Sequence, residues 1–266
     1  DSFQDVRFQV PAEALRPVLH RQADMPAFMR GHLPPTRALD LSQWVLPEDQ
    51  AAVTRAAETY RERGKSAPRV MPAELAAFVT RAARLAPDPK EPARFIPDLS
   101  AVRTNIRQPA NGRDIPRFWY MLPAFTPRHL PAIFTPRINH GTPVVALNTQ
   151  PPILIDANFS TMWPEQKRWT RHALYALFNS SWCRAAMESA GTPLGGGALK
   201  LEATHIRQVP VPVLSDSDCQ TLDALGQQLA ASAPSAQHQI DMFMLGAVLP
   251  RLNEKDLKTA AQHIET

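Results

Sequence analysis

Three consecutive glycines, Gly195–Gly197, lie in the part of this sequence that is best suited to contact a ligand, the segment GTPLGGGALKLEATHIRQVPVP at 191–212. Glycine lacks a Cβ, so its backbone takes positive φ easily and lets a partner approach closely. Successive N–H groups of such a turn can cradle a phosphate. Lys200 and Arg207 follow the glycines and can contact further phosphates. A plain tight turn with solvated charges is the competing interpretation, and the residues alone leave both open.

Two more arginines, Arg117 and Arg137, lie beside short runs with the composition of β-strands. A guanidinium forms bidentate hydrogen bonds with phosphates and with guanine edges, so contact with a nucleic acid is one possible role. Structural pairing with Asp114 or Asp156 is an equal alternative.

Aromatic and amide side chains give two further candidates. Trp119 can stack on a base, but it adjoins Tyr120, and adjacent strand residues face opposite sides, so we expect at least one of the two in the core. Asn179, Ser180 and Ser181 fall in the middle of a predicted helix. We expect these three residues to cap or to bond with backbone at a helix–sheet contact, which is a structural role.

Known enzyme motifs are incomplete in this chain. Gly64-Lys65-Ser66 resembles the end of a phosphate-binding loop, but Thr59 occupies the position of the required first glycine. Lys200 likewise replaces the third glycine of a dinucleotide fingerprint after Gly195. No histidine pair has metalloprotease spacing, no serine lies in G-x-S-x-G, and Pro97-Asp98 lacks the partners of a nuclease site. We therefore predict no catalytic, metal-binding or cofactor-binding residue in this chain.

The elements that must position the candidate residues begin with two helices. Residues 47–63 start with proline and two acids and end at Gly64, and residues 72–85 repeat this pattern. VRFQV at 6–10 alternates as a short strand does.

The proline-rich segment 86–116 is predicted to be an extended connection. We place a domain boundary there, between a mostly helical N-terminal part, 1–90, and an α+β part with C-terminal helices, 91–266.

The larger part combines short strands with longer helices. Runs of β-type residues bounded by Pro, Gly or Asn are Phe118–Leu122, Ala132–Thr135, Val144–Leu147 and Ile153–Ile155. Predicted helices are Lys167–Ala190, Asp216 or Ser217 to about Ala230, Ser235 to about Leu249, and about Glu254–His263. These patterns predict an α+β fold with a small irregular mixed sheet, packed helices and C-terminal helices.

Length and composition exclude several classes of protein. The 266 residues are 44% hydrophobic, which excludes a disordered chain, and no apolar run reaches the ~18–20 residues that span a membrane. The two cysteines, Cys183 and Cys219, exclude a disulfide scaffold and fit a reducing, cytoplasmic compartment. The N-terminus has neither Met nor a signal peptide, so we expect a piece of a longer protein.

Charge is distributed unevenly along the chain. Arg94–Arg137 holds seven arginines and two acids, whereas Ser215–Thr266 holds three cations and seven acids. A basic middle is typical of a protein with a polyanionic partner, although an ordinary basic surface shows the same pattern.

Five motifs in a fixed order resemble the C-terminal target-recognition region of N6-adenine DNA methyltransferases of restriction–modification systems, the type IIG-like enzymes in particular. The resemblance covers about residues 113–250, and RFWYMLP at 117–123 resembles the element that precedes the motifs. The matching residues are Ile133 and Pro136–Ile138; Asp156, Asn158 and Phe159; Leu177–Ser181; Gly195–Lys200; and Val209–Pro212.

The resemblance implies sequence-specific recognition of double-stranded DNA without chemistry in this chain. The catalytic tetrapeptide is absent, because Asn148–Ile153 has two residues too many and no aromatic, and the glycine-rich S-adenosylmethionine loop is also absent. S-adenosylmethionine and adenine flipping are expected in a catalytic domain of the same polypeptide or of a partner subunit. The DNA-binding residues would be Arg117, Trp119, Arg137, Gly195, Gly196, Gly197, Lys200 and Arg207.

A protein–protein docking module of a phage-defence or restriction–modification complex is the alternative function. An exposed apolar patch without a contiguous basic groove would favour it. An enzyme with an unrecognised site is a third hypothesis, but it needs clustered titratable residues that the sequence does not show.

Overall fold

A computed structural model describes residues 9–107, 114–249 and 256. The chain forms two compact units. Unit 1 comprises residues 1–16 and 37–124, and unit 2 comprises residues 17–36 and 125–266. The division into functional domains at residue 90 stays a prediction.

The described residues form short strands and mostly short helices, as an α+β fold requires, so the predicted fold class is confirmed. The strands are β1 Leu15–Leu19, β2 Arg37–Leu39, β3 Trp44–Val45, β4 Arg69–Val70, β5 Ile133–Pro136, β6 Ile138–His140, β7 Ala146–Leu147, β8 Leu154–Ile155, β9 Phe159–Met162, β10 Thr192–Pro193 and β11 Ala198–Lys200. The helices are α1 Met25–Met29, α2 Gln50–Arg55, α3 Ala57–Glu62, α4 Ala73–Ala82, α5 Ser100–Arg103, α6 Arg171–Asn179, α7 Ser181–Ala190, α8 Ala203–Ile206, α9 Asp216–Ala230 and α10 Ala236–Val248. Short 3-10 turns precede or join several of them, including one at Gly195–Gly197.

Unit 1 packs helices α2, α3 and α4 around a core that contains Val45, Val53 and Leu75. β3 and β4 pair in parallel beside this core. The predicted helix 47–63 is present as a 3-10 turn followed by α2 and α3, which join at Ala56. Gly64 follows the last helix with φ +61°, as expected for a glycine stop.

Two sequence predictions for unit 1 are wrong. The segment 86–116 is not extended throughout its described residues, because it contains a 3-10 turn at Ile96–Asp98 and helix α5. The run Phe118–Leu122 is not a strand but a turn. Its aromatic rings pack in the core instead: Phe118 and Tyr120 stack at 5.5 Å, and the Tyr120 hydroxyl donates to the Asp49 carboxylate at 2.7 Å. Hydrophobic burial therefore outweighs the strand propensity of this run.

Unit 2 holds two three-stranded antiparallel sheets. In the first, β5 lies between β7 and β9, with Ile133 opposite both Leu147 and Met162. In the second, β11 lies between β10 and β6. Within unit 2, β1 and β8 also pair in parallel. Of these strands, β5, β7 and β8 overlap the β-type runs predicted from composition, whereas β1, β6, β9, β10 and β11 lie outside them.

The predicted single helix Lys167–Ala190 is two helices, so that prediction and the mid-helix placement of 179–181 are wrong. α6 begins after Thr170, and the chain turns at Ser180, which has φ −62° and ψ 147°. The Ser180 hydroxyl accepts a hydrogen bond from the Cys183 N–H and so caps α7. The Asn179 amide donates to the Val145 carbonyl at 3.0 Å. The structural role expected for these residues is therefore confirmed.

Helices α6, α9 and α10 pack closely around a core that includes Leu177, Leu222 and Ile240. The closest approach is at Gly226, where an added Cβ would lie 2.0 Å from the His172 carbonyl oxygen. Ser215 caps α9, whereas Asp216 or Ser217 is the predicted cap, and α10 begins directly after the predicted Ser235.

Two further predictions fall largely outside the described residues. Only Gln9 and Val10 of the predicted strand 6–10 are described, and neither lies in a strand. Only Asp256 of the predicted helix 254–263 is described, and it is helical. Among the described helices, none combines the length and apolarity needed to cross a membrane.

Candidate functional site

A hairpin presents the three glycines at the surface of unit 2. It consists of β10, the turn 194–197 and β11, and we call it the glycine hairpin. Thr192 lies opposite Lys200, and the Leu194 N–H closes the turn by donating to the Ala198 carbonyl at 2.7 Å. All three glycines are exposed, so a ligand can reach this backbone.

The three glycines differ in backbone conformation. Gly196 and Gly197 have φ +73° and +75°, a conformation that other residues adopt only with strain. Gly195 is not in this conformation, and a Cβ added there meets no atom within 4 Å. Among the described residues, neither a positive φ nor a close contact requires glycine at position 195.

The other end of the hairpin positions Arg137. In the pairing of β11 with β6, Lys200 lies opposite Ile138. The Arg137 carbonyl accepts from the Leu201 N–H at 2.7 Å, and the Arg137 N–H donates to the Asn158 carbonyl at 3.0 Å. Two backbone hydrogen bonds therefore fix Arg137 between β5 and β6, where the two sheets of unit 2 adjoin.

Arg137 lines a pocket of about 450 Å³, which we call the arginine pocket. Its lining residues include Arg128, His129, Arg137, Asp156, Trp163 and Arg207. Within the described chain, none of the three arginines forms an ion pair with a carboxylate. The pocket therefore presents uncompensated positive charge beside an aromatic face.

The one described carboxylate that lines this pocket is already engaged. One Asp156 oxygen accepts from the Asn158 N–H at 2.9 Å, and the other lies 3.3 Å from the His20 Nδ1. Asp156 therefore stabilises a turn and does not pair with Arg137. Of the two alternatives for Arg137, structural pairing with Asp156 is excluded by this geometry.

Electrostatics near the pocket distinguish Arg137 from Lys200. The Arg137 Nε is buried and has no hydrogen-bond partner among the described residues. Lys200 instead forms a 3.0 Å ion pair with Glu202. Lys200 and, more weakly, Arg137 lower the pKa of Glu202. Lys200 must give up part of this pairing before it can contact another anion.

The structure brings together only some of the predicted site residues. Arg137 and Arg207 line the same pocket, Lys200 lies in the adjoining ion pair, and Gly195–Gly197 lie at the far end of the hairpin. Four residue steps of β-strand separate Gly197 from Leu201, which is roughly 13 Å.

The other two predicted site residues, Arg117 and Trp119, lie in unit 1. One Arg117 Nη donates to the Leu122 carbonyl. Trp119 packs edge-on against Tyr120 and contacts the core of unit 1. Tyr120 is the more deeply buried of the two, which agrees with the expectation that at least one of them lies in the core.

Sequence reasoning missed three residues that line the arginine pocket: Arg128, His129 and Trp163. Arg128 falls within the basic stretch 94–137, which was the available signal. His129 accepts at Nδ1 from the Thr126 N–H, and no motif marks it or Trp163.

Metal-binding groups and reactive thiols are two further kinds of site that we sought among the described residues. No group of three or more metal-ligating side chains occurs there. Cys183 and Cys219 are free and buried. Burial raises the pKa of the Cys183 thiol to about 11, so this thiol is protonated and unreactive at neutral pH.

Residues 113–242 match the family model described as Type II methyltransferase M.Eco57I, C-terminal domain, so this segment is similar to the C-terminal region of a restriction–modification methyltransferase. The matched segment is just under half of the 266-residue chain and contains all five motifs. Comparison with curated proteins and with solved structures found no match.

Proposed function

We propose that this chain is the specificity region of an S-adenosylmethionine-dependent N6-adenine DNA methyltransferase and that it recognises double-stranded DNA sequence-specifically. The observation that carries the proposal is the gathering of Arg128, Arg137 and Arg207, none of them paired with a described carboxylate, in one pocket of the matched segment. Unpaired arginines are the residues best suited to bind phosphates and guanine edges.

In this proposal, the two ends of the glycine hairpin contact different points of the DNA. The exposed turn at Gly195 lets a DNA backbone approach closely, while the arginine pocket engages a second point on the same duplex. The turn and the pocket lie at opposite ends of the hairpin, so one duplex that spans the hairpin can contact both.

Arg137 and Arg207 differ in burial. Arg137 is half-buried and fixed by its backbone, which suits a defined hydrogen-bonding geometry with a base. Arg207 is exposed at the end of α8, which suits a phosphate. Lys200 adds a phosphate contact once it leaves Glu202.

Methyl transfer in this proposal depends on a catalytic domain in the same polypeptide or on a partner subunit. The arginine pocket does not fit S-adenosylmethionine, because its cationic lining opposes the positive sulfonium of that molecule. We therefore assign no step of the reaction to this chain. Adenine flipping and methyl-donor binding belong to the catalytic domain, and a cytoplasmic location in a phage-defence system completes the proposal.

The test is fluorescence anisotropy of the full chain with a labelled mixed-sequence duplex across a range of salt concentrations. The slope of log affinity against log salt counts the phosphates neutralised, at about 0.9 for each. We expect the double variant Arg137→Ala/Arg207→Ala to lose at least 10-fold in affinity and about one to two units of slope.

The matched control removes two arginines of the basic stretch 94–137 that already form ion pairs with carboxylates. Arg94 pairs with Glu91 at 2.8 Å and Arg103 with Asp98 at 3.7 Å. Arg94→Ala/Arg103→Ala should change affinity less than 3-fold. Equal losses in both double variants would show a general charge effect and contradict the proposal, as would absence of binding by the wild-type chain at low salt.

Docking to a protein partner is the second candidate, and one observation favours it. The segment 210–215, which is neither helix nor strand, exposes two apolar side chains, Val211 at 42% and Val213 at 102%. Exposed apolar residues in such a segment are suited to pairing with another chain. Val213→Asp should disrupt such a complex, which light scattering of the assembled system would measure. The same variant should leave the DNA affinity measured by fluorescence anisotropy unchanged.

A further inference from the structure

Unit 1 contains a second pocket, of about 360 Å³, which we call the unit 1 pocket. Its polar lining consists of Ser42, Gln43, Tyr60, Lys65, Ser66 and Arg117. The lining thus combines two cations with three hydroxyls and one amide, and its described residues include no carboxylate. Cations together with neutral hydrogen-bond donors are the groups that hold an oxyanion in place.

Both cations of this pocket lack a counter-ion among the described residues, whereas neighbouring acids are paired elsewhere. Asp114 pairs with Arg63 at 2.7 Å, and Asp40 pairs with Arg16 at 3.1 Å. Neither acid forms an ion pair with a cation of the pocket, and Asp40 acts on Arg117 only as a more distant charge.

Arg117 is held in place with unused donor capacity. One Nη donates to the Leu122 carbonyl, while the Nε is buried and has no partner among the described residues. Burial and the nearby Arg107 lower the pKa of Arg117, and the charge of Asp40 opposes this shift in part. A half-buried cation with an unpaired donor is destabilised until an anion compensates it.

The turn after α3 places Lys65 and Ser66 at the same pocket. Gly64 takes φ +61°, and the Lys65 N–H donates to the Tyr60 carbonyl at 2.8 Å. The sequence excludes a nucleotide-type phosphate loop here, because Thr59 replaces the first glycine. The turn after α3 instead places Lys65 and Ser66 at the same pocket as Arg117.

We propose that the unit 1 pocket binds a phosphate group. The proposal goes beyond the proposed function, because the pocket lies in unit 1 and most of its lining precedes the matched segment. Arg117 and Lys65 provide the charge, and the hydroxyls of Ser42, Tyr60 and Ser66 donate to the phosphate oxygens.

The experiment is a titration of the ¹⁵N-labelled full chain with inorganic phosphate at constant ionic strength, followed by amide chemical shifts. We expect saturable shifts confined to residues around 42–43, 64–66 and 115–117, with a dissociation constant in the millimolar range. Shifts that grow linearly across all surface residues, or no shifts, would overturn the proposal.

The variant Lys65→Gln tests the assignment without disturbing the fold, because Lys65 is exposed. It should weaken phosphate binding at least 5-fold, and Ser66→Ala should weaken it about 2-fold. The matched control Lys90→Gln removes an exposed lysine that does not line the pocket, and it should have no effect. Equal affinity in Lys65→Gln and Lys90→Gln would reject the site.

Two further titrations identify the source of the phosphate. Adenosine monophosphate that displaces inorganic phosphate indicates a free phosphomonoester, whereas a short DNA duplex that shifts the same amides indicates a backbone phosphodiester. Loss of DNA binding in Arg137→Ala/Arg207→Ala with unchanged phosphate binding separates this site from the arginine pocket, so each proposal can fail by itself.

Discussion

The arginines of unit 1 and those of the arginine pocket in unit 2 differ in their partners. In unit 1, Arg63 and Arg69 each lie within 2.8 Å of a carboxylate oxygen, and Arg69 also lies over the Trp44 ring at 4.3 Å. In the arginine pocket, Arg128, Arg137 and Arg207 have no such partner among the described residues. Arg63 and Arg69 thus serve surface pairing, whereas the three arginines of the arginine pocket remain available.

This difference shows that net charge along a sequence does not identify a binding surface. The basic stretch 94–137 contains both kinds of arginine: Arg94 and Arg103 are paired, whereas Arg128 and Arg137 are not. A surface ion pair contributes only about 0–1 kcal/mol to stability, so the pairing of unit 1 is not what holds the protein together. Close packing has that role in unit 2.

The largest expected effect tests this dependence on packing. Gly226→Ala forces a Cβ against the His172 carbonyl, and the overpacking should lower the free energy of unfolding by about 2–3 kcal/mol. Urea denaturation followed by tryptophan fluorescence measures it.

A glycine of unit 1 provides the control for this substitution. Gly64→Ala meets no atom within 4 Å and is strained only by its φ of +61°, so it should cost about 1 kcal/mol. If Gly226→Ala proves as mild as Gly64→Ala, the close approach of α9 to α6 is not a determinant of stability.

An intermediate effect is expected at the glycine hairpin. Gly195→Ala leaves the fold unstrained, so stability should stay within about 0.5 kcal/mol. DNA affinity should nevertheless fall about 5-fold, because the new methyl group obstructs the approaching backbone. Thermal denaturation and fluorescence anisotropy on the same samples separate the two quantities.

The neighbouring glycine sharpens this test. Gly196→Ala is strained by its φ of +73°, so it should lose about 1 kcal/mol of stability as well as affinity. Unchanged DNA affinity in Gly195→Ala would mean that the turn serves the fold alone and contacts no partner.

The smallest expected effect concerns the paired cation of unit 2. Glu202→Gln removes the carboxylate that holds Lys200 at 3.0 Å, and the amide oxygen can still cap α8. Freeing Lys200 should raise DNA affinity about 2-fold at low salt and less at high salt, because screening weakens exposed charges. Anisotropy titration at two salt concentrations measures the change.

Glu188→Gln removes an exposed acid of α7 and is the control for net charge. Equal gains in the two variants would show that pairing of Lys200 does not limit its availability, and the distinction between paired and free cations would lose its support in unit 2.

Local signals in the sequence were sufficient for several elements. Gly64 and Gly191 ended helices where predicted, and α9 and α10 kept their predicted bounds to within two residues. These elements depend on capping residues and on an apolar stripe, which act within a few turns of chain. The motif order likewise indicated the family whose model residues 113–242 match.

Two of the failures involve contacts between distant residues. Ser180 breaks the predicted helix Lys167–Ala190, where Asn179 bonds to Val145 34 residues away. The Phe118–Leu122 run turns into the core of unit 1, where Tyr120 reaches Asp49. Neither partner is visible in a local pattern.

The sequence by itself determined the fold class, the main helices, the absence of complete catalytic motifs and the family that one segment resembles, because these depend on residue types and their spacing. Only the tertiary structure decided which cations are free: it paired Lys200 with Glu202, directed Asp156 to a turn and left Arg137 open beside Arg207. Charge compensation acts through space over a few ångströms, and a linear sequence does not record those distances.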